Sequence, residues 1–476
     1  MILKNINHDC AYHTQKLATM FFPLEKISDG GDSDIVVITE KNGDKLTVCA
    51  RVYSEEHTLS RIMTSDDTAR EMSLLMYEVL SKVTGFRPPW GILYGVRPAR
   101  LMHATVEKLG EKAARQKFTD DLVTKEKTDL ALEVMESENR IISLSGDRSF
   151  SLYISVPFCP TRCSYCSFVS HSIQNADNLI EPYVNLLCRE LEKIAKTAKA
   201  LDLRLESVYV GGGTPTTLTA VQLERVISTV NSNFDVTTCR ELTVEAGRPD
   251  TVTEEKLKVL RACGVDRVSI NPQTFSDEVR KKAGRHHTTQ QTLDAFALAR
   301  KVGFDNINMD FIAGLAGEDV STFANGIKKA TALGAESITV HNLALKSAAF
   351  LVTEGEYYDL TEKLAAADMV HTAYALLTSN GYKPYYMYRQ SKSLGNLENV
   401  GYAKEGKECL YNVFMMDETH SVFAAGAGAV TKLKGKTYNN IERVYNYKYP
   451  YEYIANFDEV LSRKQKILDF YHSNMN

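Results

Sequence analysis

The chain has 476 residues, 44% of them hydrophobic and 24% charged, enough for two or three domains with a sizeable core. Its net charge of −4 gives no electrostatic case for binding nucleic acid or an anionic membrane, and no apolar run reaches the length of a transmembrane helix. The N-terminus lacks the apolar core of a signal peptide, and nine mostly scattered cysteines fit a reducing compartment better than a disulfide framework, so a cytoplasmic protein is expected.

The first segment is predicted to be an α+β domain with a helical connector, residues 1–148. Asp34–Thr39 and Lys45–Val52 read as strands, with the turn residues Asn42-Gly43-Asp44 between them. Met72, Leu75, Met76, Val79, Leu80 and Val83 fall on one helical face, and Gly85 followed by Pro88-Pro89 ends that helix. Trp90, the single tryptophan, reads either as a packed core or hinge residue or as a ligand platform. Cys10 and Cys49 read as isolated thiols, and no chemistry is assigned to this segment.

From 149 to 345 the pattern changes to alternating strands and helices. Strands are predicted at Leu152–Val156, Ser207–Val210, Glu241–Glu245, Arg267–Ile270, Ile307–Ile312 and Ser337–His341. Helices are predicted near 179–199, 220–232, 253–262, 288–302 and 320–333. Repeated β-α units imply a parallel sheet, and in barrels built this way the reactive groups sit at the C-terminal ends of the strands. Cys159, Cys163 and Cys166 follow the first strand with spacing C-x3-C-x2-C. Thiolates are the usual ligands of iron–sulfur clusters, and three of them on four irons leave one iron open. A closed zinc site would need a fourth ligand and usually shows paired C-x2-C spacings. Gly211-Gly212-Gly213-Thr214 follows the second strand, where glycines permit close backbone approach and leave N–H groups free for a ligand. Glu245, Gln273, Arg285 and Asp310 come after or on later strands.

The cysteine spacing resembles the signature of radical S-adenosylmethionine (SAM) enzymes. Together with the glycine run and the later polar residues, it resembles the oxygen-independent coproporphyrinogen III oxidase family over about 150–435, and the whole chain resembles a branch of it with a long N-terminal extension. The resemblance implies a partial (β/α)6 barrel, with an N-terminal α+β accessory domain and a C-terminal α/β extension over 346–476 that covers the substrate. It implies a [4Fe-4S] cluster on Cys159, Cys163 and Cys166 and two SAM molecules. Tyr153, Gly212, Glu245 and Val430 would contact the SAM on the iron; Tyr165, Gly213, Thr214, Gln273, Arg285, Asp310 and Ala344 match the second-SAM positions. Tyr153 and Arg285 are the expected catalytic residues, Arg285 because a guanidinium binds carboxylates in a planar fork.

The implied reaction is anaerobic. A 5′-deoxyadenosyl radical takes a hydrogen from a propionate β-carbon, and loss of CO2 and one electron leaves a vinyl group; two such steps turn coproporphyrinogen III into protoporphyrinogen IX. An electron donor such as flavodoxin or ferredoxin is the expected partner. The chain departs from the best-understood members at Phe168, where they carry a fourth cysteine that is not a cluster ligand and haem-trafficking relatives also carry phenylalanine. A haem chaperone on the same fold is therefore an alternative, and a radical methyltransferase acting on haem is another. The chaperones' H-N-x-x-Y-W motif corresponds here to Tyr411-Asn412-Val413-Phe414-Met415-Met416, without its histidine and tryptophan, though tyrosine also ligates haem iron.

In the last segment, Pro384–Gln390 reads either as an aromatic and methionine wall for a planar tetrapyrrole, with Arg389 near a propionate, or as a half-buried strand. The glycine-rich Gly426–Val430 is expected to return to the barrel mouth, and 445–476 to form a peripheral helical cap. Cys188, Cys239, Cys263 and Cys409 read as structural.

Overall fold

The computed structural model describes residues 1–166, 171–345, 360–437 and 440–474, so Phe168 lies outside the described residues. The chain divides into two compact units. The first comprises Met1–Met135, Asn342–His371 and Met387–Asn399. Its sheet runs in the order β1 (Ile2–Ile6), β2 (Ile35–Asn42), β3 (Lys45–Val52) and β4 (Glu55–Ile62). β1 lies parallel to β2, and the other neighbours are antiparallel. β1 and β4 went unread in the sequence: β1 is only five residues long, and β4 carries charged residues on a half-exposed edge. Helices α1 (Ala11–Phe21) and α2 (Thr68–Thr84) supply the core with Leu17, Phe21, Met72, Met76 and Leu80, packed with Val37 and Val48 of the sheet. α2 starts where the Asp67 carboxylate accepts from the Arg70 N–H and stops at Gly85 in the left-handed region, as the pattern predicts.

Trp90 is fully buried and donates its indole N–H to Glu398 at 2.7 Å. Glu398 also takes Lys127 at 2.5 Å, and Arg389 lies over the indole ring at 5.5 Å. Arg389 donates to the carbonyls of Leu93 and Gly95 and to Asn396. These bonds commit the guanidinium within the core of the first unit, so it is not the propionate partner that the sequence allowed. Burial presses its pKa down to about 10.

The second unit comprises Glu136–His341, Thr372–Tyr386 and Val400–Asn476. Its central strands are β5 (Ser149–Val156), β8 (Arg204–Gly212), β9 (Glu241–Glu245), β10 (Arg267–Ser269), β11 (Ile307–Ala313) and β12 (Ser337–Asn342); β6 (Phe158–Cys159) and β7 (His171–Ser172) form a short separate pair. In the large sheet these six lie side by side in chain order, and β5, β8, β9, β10 and β11 are parallel. Each crossover therefore steps the same way, which curves a sheet toward a barrel rather than winding it in two directions. β13 (Lys383–Arg389) and β14 (Glu398–Ala403) flank β12 at one end of the order, and β15 (Ser421–Ala425), β16 (Val430–Lys434) and β17 (Ile441–Tyr445) flank β5 at the other. The six central strands are thus an open, partial barrel within a sheet of eleven strands. Seven of the eight residues of β5 are buried, as expected for a parallel strand covered on both faces.

The crossover helices begin at side-chain caps. Thr219 with Gln222 and Thr288 with Gln291 form capping boxes at Ala220–Asn233 and Thr289–Val302. The helix at Val320–Leu333 starts at the Asp319 carboxylate and ends at Gly334. Tyr385, Tyr386 and Met387 of β13 are at most 4% exposed, which favours the packed strand over a ligand wall. The terminal helices Pro450–Ala455, Phe457–Arg463 and Gln465–Asn474 are not merely peripheral, because Lys464 is fully buried against a fully buried Glu190 at 2.7 Å. No described helix is long and apolar enough to cross a membrane.

Candidate functional site

β5 ends at Val156, and the cysteine loop follows it directly. Cys163 is buried, and Cys159 and Cys166 are half-buried. The loop is fastened on several sides by backbone. Gly213 donates to Val156 O at 2.8 Å, Thr214 to Phe158 O at 2.7 Å, and Ser164 to Ala283 O at 3.1 Å. The N–H groups of Gly213 and Thr214 are thus committed to the cysteine loop, which corrects the expectation that the glycine run leaves them free. A Cβ on Gly213 would stand 2.5 Å from Phe158 O, so only glycine lets the two loops meet. Gly212 has φ +106°, and a Cβ there would meet Ser155 Oγ at 2.9 Å. The Thr214 hydroxyl lies 3.4 Å from Cys159 Sγ.

Glu245 ends β9 and accepts the Tyr209 hydroxyl at 2.6 Å. Burial lifts its pKa to about 7, with the Tyr209 hydrogen bond opposing and Asp310 assisting. Tyr153, Tyr209 and Tyr411 form a stack: Tyr153 lies 6.4 Å from Tyr209 and 6.1 Å from Tyr411, and Tyr209 lies 4.6 Å from Tyr411. Burial raises the phenol pKa of all three. Tyr411 is set by the buried carboxylate of Glu241, which takes the N–H groups of Leu410 and Tyr411 at the start of the helix Leu410–Asp417.

Asp310 lies on β11, where its carboxylate takes Asn271 at 2.7 Å and Asn308 at 2.6 Å, with His341 at 3.8 Å. Burial alone would push it up, but the contacts with His341, Asn308 and Thr339 hold it below its ordinary value. Gln273 has φ +64°, a conformation uncommon for a residue with a side chain. Its backbone bridges Phe311, and its buried Oε1 has no hydrogen-bond partner. Arg285 is 4% exposed and donates to Tyr165 Oη at 3.2 Å and to Gly247 O at 2.5 Å, while its Nε is unpartnered. Burial alone would lower its pKa, but Tyr165 and Cys163 raise it.

Val430 opens β16, after the Gly426–Ala429 turn. That turn is held against the end of β5: Ser155 Oγ donates to Ala427 O, Tyr183 Oη donates to Ser155 O and takes the Ala427 N–H, each at 2.8 Å, and Glu190 takes the Gly426 N–H at 2.8 Å. Ala344 belongs to the first unit, where it forms a backbone bridge with Ser393.

Tyr209 and Arg248 were missed from the sequence, as was the place of Tyr411 in the stack. Tyr209 faces Glu245 because a residue two before Gly211 shares its face of the strand, a signal the period-two rule could have given. Tyr411 comes from a distant helix. Arg248 is 4% exposed and lies 3.9 Å from Cys163 Sγ, three residues after Glu245.

The donor set fits an iron–sulfur cluster. Three thiols on one short loop are the donors such a cluster takes, each thiolate on a different iron. The close glycine approach and the orphaned Gln273 oxygen suit a polar ligand beside it.

Comparison with known proteins shows the family. The radical SAM superfamily description matches residues 153–330. The oxygen-independent coproporphyrinogen-III oxidase-like protein HemZ of Bacillus subtilis is 35% identical over 97% of this chain and 96% of its own length. The heme chaperone HemW of the same organism is 32% identical over 58% of this chain and 70% of its own. Coproporphyrinogen III oxidase (HemN) from Escherichia coli shares the fold, with a TM-score of 0.52 at 22% identity over 67% of this chain and 71% of that one. Membership implies a [4Fe-4S] cluster and SAM. The chain belongs to the radical SAM superfamily and, within it, to the HemZ-like group of oxygen-independent coproporphyrinogen III oxidase-like proteins.

Proposed function

We propose that this protein is a coproporphyrinogen dehydrogenase, decarboxylating two propionates of coproporphyrinogen III to the vinyl groups of protoporphyrinogen IX. The observation that carries the reading is the joining of the cysteine loop to the glycine run, with Glu245, Gln273, Arg285 and Asp310 on or after the neighbouring parallel strands. When bound, cluster and SAM supply the radical that removes a propionate hydrogen. The chain's own part is to hold and shield. Cys159, Cys163 and Cys166 would hold the cluster; Tyr153, Gly212, Glu245 and Val430 would hold the SAM on it. Tyr165, Gly213, Thr214, Gln273, Arg285 and Asp310 would bind a second SAM. Arg285, charged and buried, is suited to a carboxylate of SAM or of the substrate. The tyrosine stack holds Glu245 through the Tyr209 hydroxyl. A flavodoxin or ferredoxin would deliver the electron.

A second reading, a haem chaperone, has the similarity to HemW behind it. Against it, Tyr411, in place of that motif's histidine, is 4% exposed within the tyrosine stack, so it would have to leave the stack to reach an iron. Anaerobic turnover of reconstituted protein with SAM, reductant and coproporphyrinogen III, read by mass spectrometry, tests the proposal. Loss of two CO2 with formation of 5′-deoxyadenosine is the expected result. Stable haem binding without SAM cleavage would favour the chaperone, and methyl transfer to haem would assign a methyltransferase.

A further inference from the structure

We propose that Arg248 is a positioning residue that sets the reduction potential of the cluster on the cysteine loop, by presenting an anchored guanidinium to the Cys163 sulfur. The inference rests on the cluster reading above. Arg248 uses all three of its nitrogens. Nε and Nη2 fork onto the two oxygens of Asp250 at 3.1 and 3.0 Å. Nη1 donates to Thr161 Oγ1 at 3.2 Å and Thr161 O at 3.4 Å, and stands 3.9 Å from Cys163 Sγ. The carboxylate fork fixes the plane of the guanidinium, so Nη1 has one direction left, into the cysteine loop. Nothing in the SAM-binding assignment uses this residue.

The physical effect has a definite sign. Three thiolates make the cluster site anionic, and reduction adds one more negative charge. A cation within hydrogen-bonding distance of a ligand sulfur stabilises the reduced form more than the oxidised one, which moves the potential upward. The side chain is 5% exposed, so water screens this charge little. Arginine suits the place because a guanidinium stays charged when buried, where an ammonium loses its proton more readily. The surroundings are cationic as well. His287, 3% exposed with both ring nitrogens unpartnered, has its pKa pushed to about 2 by burial and then by Arg285, Arg280 and Arg248. Asp250, with its side chain 25% exposed, is the counter-charge that tempers Arg248.

Two substitutions should move the potential in opposite directions. Arg248→Met removes the cation, and Asp250→Asn leaves it less compensated. The measurement is a dithionite titration, followed by electron paramagnetic resonance, of the anaerobically reconstituted full chain without SAM. The midpoint is expected to fall in Arg248→Met, to rise in Asp250→Asn, and to lie between wild type and Arg248→Met in Arg248→Lys. An unchanged midpoint, or shifts of one sign in the Met and Asn variants, would overturn the proposal. If Arg248→Met takes up no cluster, the Asn variant decides alone: a rise supports the proposal and anything else overturns it. Loss of cluster from both, with the fold retained, would make Arg248 a loop anchor and also overturn it. Failure of the cluster reading itself would show differently, as wild-type protein that takes up no iron and shows no brown absorbance.

Discussion

Cys163 is the cluster-site thiol most enclosed by protein, buried beside Gly284, whose added Cβ would stand 3.6 Å from Cys163 Cα. Cys163→Ala should abolish iron binding, the brown absorbance and SAM cleavage, checked by iron analysis and by assay for 5′-deoxyadenosine. Glu245 carries a second residue-scale prediction. Its pKa of about 7 lies above the ordinary carboxylate value, so the folded ligand-free chain holds this proton more tightly than the unfolded one. The stability this gives is full at acid pH and is lost as pH rises through about 7. Glu245→Gln removes that dependence. The stability difference between wild type and Glu245→Gln should therefore shift against wild type by up to roughly 3 kcal/mol between pH 5 and 8, read from urea unfolding. A sequence pattern names Glu245 as a carboxylate at a strand end; only its burial, which outweighs the opposing Tyr209 hydrogen bond, makes it one that titrates near neutrality.

At the scale of elements, the glycine run and the cysteine loop act as one piece. Gly213→Ala places a methyl group 2.5 Å from Phe158 O and 2.9 Å from Val156 O, both backbone atoms that cannot swing aside. It should lower thermal stability by about 1–3 kcal/mol and reduce iron loading per chain, measured by calorimetry and iron analysis. The C-terminal helices hold the other wall of the site. Lys464 and Glu190 form a fully buried pair, which also gathers Gly426, Asn446 and Tyr453. Lys464→Met strands the Glu190 carboxylate and should cost about 3–5 kcal/mol in denaturant unfolding; adding Glu190→Gln should recover part of it. The glycine run marked a close backbone approach in the sequence, but not that the cysteine loop is what approaches it. The Lys464 and Glu190 pair joins residues 274 positions apart, and no local pattern marks it.

For the whole molecule, ligand binding and folding should be linked. Whatever binds the native site and not the unfolded chain stabilises by mass action, about 2.7 kcal/mol at a hundredfold excess over the dissociation constant. SAM should therefore raise the melting temperature of cluster-loaded protein and leave the Cys163→Ala variant unchanged, checked by anaerobic calorimetry. The six strands in chain order follow from the alternating pattern, since consecutive right-handed crossovers step the same way. The flanking order β15-β16-β17 beside β5 does not follow from it, because those strands come from residues 421–445 and meet β5 only through long-range pairing.

The sequence by itself determined the donor atoms and their carriers: three thiols behind one strand, a glycine run behind the next, and carboxylate, amide and guanidinium groups after the strands that follow. It did so because strand and helix periods, and the spacing of a loop, are local properties. The tertiary structure decided which of those groups are free to act. It bound the Gly213 and Thr214 amides into the cysteine loop, sank Arg389 into a core of carbonyls, stacked Tyr411 on Tyr209, and turned Arg248 toward Cys163. These are outcomes of burial and long-range hydrogen bonding, where a polar group removed from water must take whatever partner the fold brings to it.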